Sequence, residues 1–251
     1  MKRNERVIRI ISTLMDNPNK LYPLSFFTEM FGAAKSTVSE DISICRKTVE
    51  SSGEGEIITY AGATGGVKYQ PKISEEAIEE FRRLMQEKLA EPERMLPGNF
   101  TFTSDLMFNP KVARTAGRIF ATRFMDKEAD YVVTIEAKGI AMALMTAESL
   151  NIPLVVMRRE GKIAEGSTVS INYVSGSADK MQKMSVSKRS LRPGTKAIII
   201  DDFMRGGGSA HGMKELLSEL DVETVGIGVL IAMKEPEKKR VNEYYSILTL
   251  E

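Results

Sequence analysis

Between Arg3 and Met15 the apolar residues Val7, Ile10, Ile11 and Leu14 recur at intervals of three and four, which puts them on one face of a helix that DNPNK closes. The next apolar series divides at a glycine. Phe27 and Phe31 stand four apart on a short helix that Ser25 can cap, and Gly32 supplies a turn. Val38, Ile42, Cys45 and Val49 then line a second helix that Ser36 can cap. Two short β-rich runs follow, residues 57–60 and 67–70, with a glycine-rich connection that predicts a hairpin. After Pro71, Ser74 with Ala77, Ile78, Phe81, Leu84 and Met85 predicts a capped amphipathic helix ending before Pro92. The expected division is residues 1–72, a linker helix over 73–96, and a second domain over 97–251.

In the second domain Asn109-Pro110 is an N-cap and N1 pair for a helix to about Met125, with Val112, Ala116, Ile119, Phe120 and Phe124 inward. The pattern then alternates. YVVTI, LVVM, AIIID, TVGIGVLIA and SILTL read as strands and the segments between them as helices, including one between the last two strands. Near-continuous apolar strands alternating with helices predict an α/β fold with a parallel sheet covered on both faces. STVSINYV and DKMQKMSVSKRSL, around Ser175-Gly176, break that rhythm and predict a two-stranded hood or lid over the sheet edge.

Composition narrows the classes. Thirty-five Lys and Arg against 34 Asp and Glu leave no net field, so any nucleic-acid surface must be local. Residues 1–72 hold ten basic and eight acidic side chains, a small surplus. One cysteine excludes an intramolecular disulfide and a zinc ribbon, and Cys45 in the apolar stripe is expected to be a buried thiol. No apolar run approaches a membrane span, the N-terminus lacks a signal-peptide pattern, and a cytoplasmic location is expected.

The chemistry concentrates in KAIIIDDFMRGGGSAHG. A buried strand delivers Asp201 and Asp202 to its carboxyl end, where ligands of parallel sheets lie. Gly206, Gly207 and Gly208 leave backbone N–H groups uncovered before a helix start at Ser209, which suits a phosphate monoester. No Lys follows for a P-loop, and His211 occupies the third-glycine position of a dinucleotide fingerprint. An ordinary glycine turn is the plain alternative. The acid pair weighs against it: IIIDDFMRGGGS resembles the phosphoribosyl pyrophosphate (PRPP) signature of type I phosphoribosyltransferases. The Glu136-Ala137-Lys138-Gly139 turn lies at the same edge and suits a second anion, and Arg158, Arg159 and Lys162 cluster after LVVM. His211, the only histidine, has no catalytic pattern around it and is expected to be structural.

The first domain resembles the helix-turn-helix of winged-helix regulators, in which the start of the second helix enters the major groove. Lys35, Ser36, Thr37, Ser39 and Arg46 are then the polar residues free to face DNA, with Arg3 on the first helix. The hairpin is a wing, and Thr64, Gly65 and Lys68 could touch phosphate or the minor groove. A plain helical hairpin is the alternative. Because phosphate contacts carry most of the affinity, so modest a charge surplus predicts weak binding by one copy and a homodimer on paired half-sites.

Taken in order, TVSEDI, AGATGGVKY, TSDLMFNP, EAKG, EGSTVSINYVSGS and DDFMRGGGS resemble the purine operon regulators of the Gram-positive type (PurR), a winged helix fused to a type I phosphoribosyltransferase-like domain. The resemblance implies a sensor that binds PRPP and no turnover of a purine base. By it Asp201 and Asp202 take the ribose hydroxyls and Gly206, Gly207, Gly208 and Ser209 take the 5′-phosphate, with Phe203, Met204 and Arg205 counted among the effector-binding residues. Ala137, Lys138, Gly139, Arg158, Arg159 and Lys162 take the pyrophosphate. It also implies double-stranded operator DNA as partner, Mg²⁺ carried by the ligand with no dedicated protein cage, and competition by (p)ppGpp. Two alternatives stay open, an active purine phosphoribosyltransferase of the xanthine type and a second domain that only dimerises.

Overall fold

The computed structural model describes residues 1–62, 64–97, 100–159, 166–174 and 181–251. The chain divides into two compact units. Met1–Glu75 with Glu148–Asn151 form the first, and Glu76–Ala147 with Ile152–Glu251 form the second.

The first unit opens with α1 (Arg3–Met15), α2 (Leu24–Phe31) and α3 (Lys35–Ser52). Ile10, Leu14, Phe27, Val38, Ile42, Cys45 and Val49 are buried in one cluster, as the three-and-four spacing requires. Gly32 takes a left-handed conformation (φ 59°) and ends α2. The expected caps are displaced by two residues. Pro23 and Ala34, both extended, hold the N-cap positions without a side-chain bond, so Ser25 and Ser36 stand inside the first helical turns. A proline fixed near φ −65° already presets the entry into α2. The hairpin pairs β1 (Gly55–Tyr60) with β2 (Gly66–Pro71), and Tyr22 adds a third rung by exchanging backbone bonds with Val67 at 2.9 and 2.8 Å.

The second unit begins with α4 (Glu75–Leu89), the helix expected over 73–96. Arg82 on its flank donates to the Ile247 carbonyl at 2.9 Å and to the Tyr245 hydroxyl at 3.2 Å. Two short strands, β3 (Met95–Leu96) and β4 (Phe100–Thr101), and α5 (Ser104–Met107) lead to α6 (Pro110–Phe124), whose Asn109 cap accepts from the Lys111 and Val112 amides. Then come β5 (Tyr131–Ile135), α7 (Ile140–Leu150), β6 (Leu154–Met157), β7 (Thr168–Val174), β8 (Met181–Ser187), β9 (Thr195–Met204), α8 (Gly208–Glu219), β10 (Val222–Met233) and β11 (Tyr245–Leu250).

Five strands form a parallel sheet in the order β11-β10-β9-β5-β6, so β9 is central. Ile198, Ile199 and Ile200 are fully buried there; each isoleucine removed from water contributes about 1.5–3 kcal/mol, which fixes β9 in the middle of the sheet. β7 and β8 form a separate antiparallel hairpin, and Tyr173, Met184 and Val186 share a core cluster with Ala210 and Met213 of α8.

One expected element is absent. Residues 234–244, between β10 and β11, form an irregular loop where a helix was anticipated. Pro236 brings no N–H to a helical ladder. Instead the loop is held by a buried lysine, whose Lys239 ammonium donates to the Met233 carbonyl at 2.7 Å and the Lys234 carbonyl at 3.3 Å.

Candidate functional site

Because β9, β5 and β6 are parallel neighbours, their carboxyl ends bring three separated sequence features to one edge. β9 carries Asp201 and Asp202 within the strand; β5 leads into Glu136, Ala137, Lys138 and Gly139; β6 leads into Arg158 and Arg159. Gly139 approaches the acid pair most closely. A Cβ built on it would stand 3.3 Å from Asp201 Oδ1 and 2.7 Å from Thr134 Oγ1, so only glycine fits beneath the loop.

Asp201 is buried, with 5% of its surface exposed, while Asp202 is half-buried. Burial first, then the neighbouring Asp202 charge, pushes the Asp201 carboxyl well above the usual carboxylate range; Arg159 pulls the other way without compensating. The Asp202 amide donates to Asp201 Oδ1 at 3.0 Å. This acid at the sheet edge is thus harder to ionise than an exposed carboxylate.

The basic residues are organised by Glu136, which the sequence placed in the anion-suited turn without a role of its own. Its Oε1 accepts from the Arg159 amide at 2.8 Å and its Oε2 lies 3.7 Å from the Arg158 guanidinium. Arg158 also exchanges backbone bonds with Ser185 of β8, at 2.9 and 2.7 Å, which stitches the hairpin to the end of β6. Lys138 donates to Thr103 Oγ1 at 3.3 Å. Thr103 in turn is presented by α5, whose Asp105 is gripped at 2.7 and 2.9 Å by Arg94 and held below the usual carboxylate range. Lys162 and residues 175–180 lie outside the described residues.

At the glycine turn Gly207 adopts φ 77° and α8 starts at Gly208, one residue before the expected Ser209. Ser209 is half-buried; Arg205 and Phe203 are exposed. Met204 corrects the sequence reading: it is 3% exposed, packed into the core cluster, and offers no side chain to a ligand. The Arg240 amide donates to the Gly206 carbonyl at 2.9 Å, so the 234–244 loop flanks the glycines. Nothing local in its sequence, KEPEKKR, placed it at this edge. His211 Nε2 lies 3.4 Å from Glu215 Oε1 on the same helix.

In the first unit Lys35, Ser36 and Ser39 are exposed at the start of α3, Thr37 is half-buried, and Thr64 is exposed in the hairpin turn beside half-buried Gly65. Lys68 lies with its ammonium 5.6 Å from the Tyr60 ring centre. Two residues expected to be free are engaged. Arg46 donates to the Ile57 carbonyl at 3.0 Å and to Thr59 Oγ1, clamping β1 onto α3. Arg3 pairs with Glu40 at 3.5 Å and with buried Asp41 at 3.4 Å. The Cys45 thiol donates to the Val7 carbonyl, and burial pushes its pKa up to about 12, so it is no nucleophile.

Comparison with known proteins assigns both units. The family described as bacterial purine repressor, N-terminal, matches residues 2–71, and the phosphoribosyl transferase domain matches residues 103–251. Over 249 residues the chain is 44% identical to the purine biosynthesis transcriptional repressor PurR of Bacillus subtilis, covering 99% of this chain and 87% of that protein. Over 251 residues it is 37% identical to the purine biosynthesis transcriptional activator PurR of Lactococcus lactis, covering 100% of this chain and 93% of that one. Adenine phosphoribosyltransferase from Rhodothermus marinus shares the fold alone, with a TM-score of 0.58 and 22% identity over 68% of this chain and 99% of that one. The regulators match along the whole length and in the same domain order, and the chain belongs to the PurR family of purine biosynthesis transcriptional regulators.

Proposed function

We propose that this regulator is a repressor that binds operator DNA as a homodimer and is released by PRPP bound in its phosphoribosyltransferase-like unit. The observation that carries the reading is the convergence of Asp201, Asp202, the Gly206–Gly208 turn and the Lys138-Gly139 loop on one sheet edge. An acid pair suits a ribose diol, a glycine turn at a helix start suits a 5′-phosphate, and a loop backed by Arg158 and Arg159 suits pyrophosphate. PRPP carries all three groups on one ribose.

Mg²⁺ fits as part of the ligand. Among the described residues no three His, Cys, Asp or Glu side chains gather into a cage, and Mg²⁺ commonly keeps its waters and binds through substrate phosphates. In this reading it neutralises the pyrophosphate, while Asp201 and Asp202 face the ribose. (p)ppGpp, with its pyrophosphates, would compete for the same edge. Release requires PRPP to bind the DNA-free state more tightly than the DNA-bound state, since a ligand without that difference shifts nothing.

Titration of a purine-promoter DNA complex with PRPP and Mg²⁺ at fixed salt tests the proposal. Specific binding that PRPP weakens, a D201A variant that binds DNA but ignores PRPP, and no nucleotide formed from xanthine are the expected results. Nucleotide formation without specific DNA binding would replace the sensor by a salvage enzyme.

A further inference from the structure

Thr134 sits in β5 with no exposed surface, between Val133 and Ile135, and among the described residues its Oγ1 has no hydrogen-bond partner. Leaving a buried hydroxyl unpaired costs about 1–3 kcal/mol, and a valine would fill the same volume without that cost. Elsewhere in this unit a buried threonine is satisfied: Thr146 donates to the Met142 carbonyl at 2.8 Å. The Thr134 hydroxyl lies directly beneath Gly139. The point 2.7 Å from it, where a Gly139 Cβ would stand, is also 3.3 Å from Asp201 Oδ1. An unpaired donor therefore lies close to both the candidate pyrophosphate loop and the candidate ribose acid.

We propose that Thr134 is a positioning residue of the effector site, whose hydroxyl donates to the Asp201 carboxylate in the effector-bound state and so ties the acid to the Lys138-Gly139 loop. This rests on the reading of the sheet edge as a PRPP site. An ionised carboxylate offers about four acceptor positions. The Asp202 amide occupies one at Oδ1, Thr134 would take a second, and the remainder face the ribose hydroxyls. A hydrogen bond to a charged acceptor is stronger than one to a neutral acid, so the contact becomes most favourable when Asp201 ionises against the ligand.

The test compares full-length wild type, T134V and T134S by Mg-PRPP titration and by thermal melting without ligand. T134V should melt at or above the wild-type temperature, because an orphaned hydroxyl has been removed. It should also bind PRPP at least about tenfold more weakly, the scale of a lost hydrogen bond to a charged group. T134S, which keeps the hydroxyl, should recover most of the affinity. T134V with wild-type PRPP affinity, T134V that melts well below wild type, or T134S as weak as T134V would each overturn the assignment. Wild-type protein that fails to bind PRPP would instead remove the PRPP reading, and this inference with it.

Discussion

The Asp202 backbone N–H donates to the Asp201 carboxyl at 3.0 Å, so the more buried of the two adjacent acids is anchored by the backbone of the more exposed one. That bond favours the ionised form, yet burial and the Asp202 charge outweigh it.

The first prediction follows from that balance. A carboxyl whose folded pKa is raised contributes stability that is fully present below the ordinary value of about 3.9 and is lost as the pH climbs through the raised folded value. D201N should flatten that decline. At neutral pH it should melt about 2–4 °C above wild type, the scale of one kcal/mol in a protein of this size, while losing the PRPP response. Melting curves across pH 4–8 check this, and an unchanged slope would remove Asp201 as its source.

Gly139 provides a steric test. A methyl group there meets Thr134 Oγ1 at 2.7 Å and Asp201 Oδ1 at 3.3 Å, so G139A must displace the loop or the acid. We expect PRPP affinity to fall at least about tenfold, one ligand hydrogen bond's worth, with operator binding retained. Isothermal titration alongside DNA gel shifts would measure both.

At the start of α3, exposed Lys35 is expected to meet a phosphate. K35A should weaken binding to operator and random DNA alike, and should flatten the slope of log K against log salt by about 0.9 per protomer. A loss confined to the operator would instead assign Lys35 to base reading.

The first unit has its own stability test. Asp41 is fully buried, with Arg6 at 2.6 Å and Arg3 at 3.4 Å. R6A leaves the buried Asp41 charge to Arg3 alone, 53% exposed and 3.4 Å away, so it should cost at most about 3–5 kcal/mol and lower the melting temperature of the first unit. A double variant R6L/D41L should recover much of that loss, because an apolar pair of similar volume carries no desolvation cost; denaturant titration of the set checks it.

Much of this molecule was legible in one dimension because periodicity and spacing are local. The three-and-four pattern from Val7 to Val49 located the helices of the first unit, since each buried stripe follows from 3.6 residues per turn. Three isoleucines before two aspartates located the central strand and its acids, because a strand buried on both faces has to be continuously apolar. Tertiary structure decided what each polar group touches. Arg46 and Arg3 looked free until the fold set a carbonyl and a buried carboxylate beside them, and Met204 looked like a loop residue until β9 ran on through it into the core. Thr134 carried no local signal, and neither the pairing of Glu136 with Arg158 and Arg159 nor the place of the 234–244 loop beside the glycines could be read locally, since they come from strands adjacent in space and distant in sequence. Sequence sets which residues must be buried; the pairing of β9 with β5 and β6 sets which charges and hydroxyls are buried together, and that depends on contacts no local window contains.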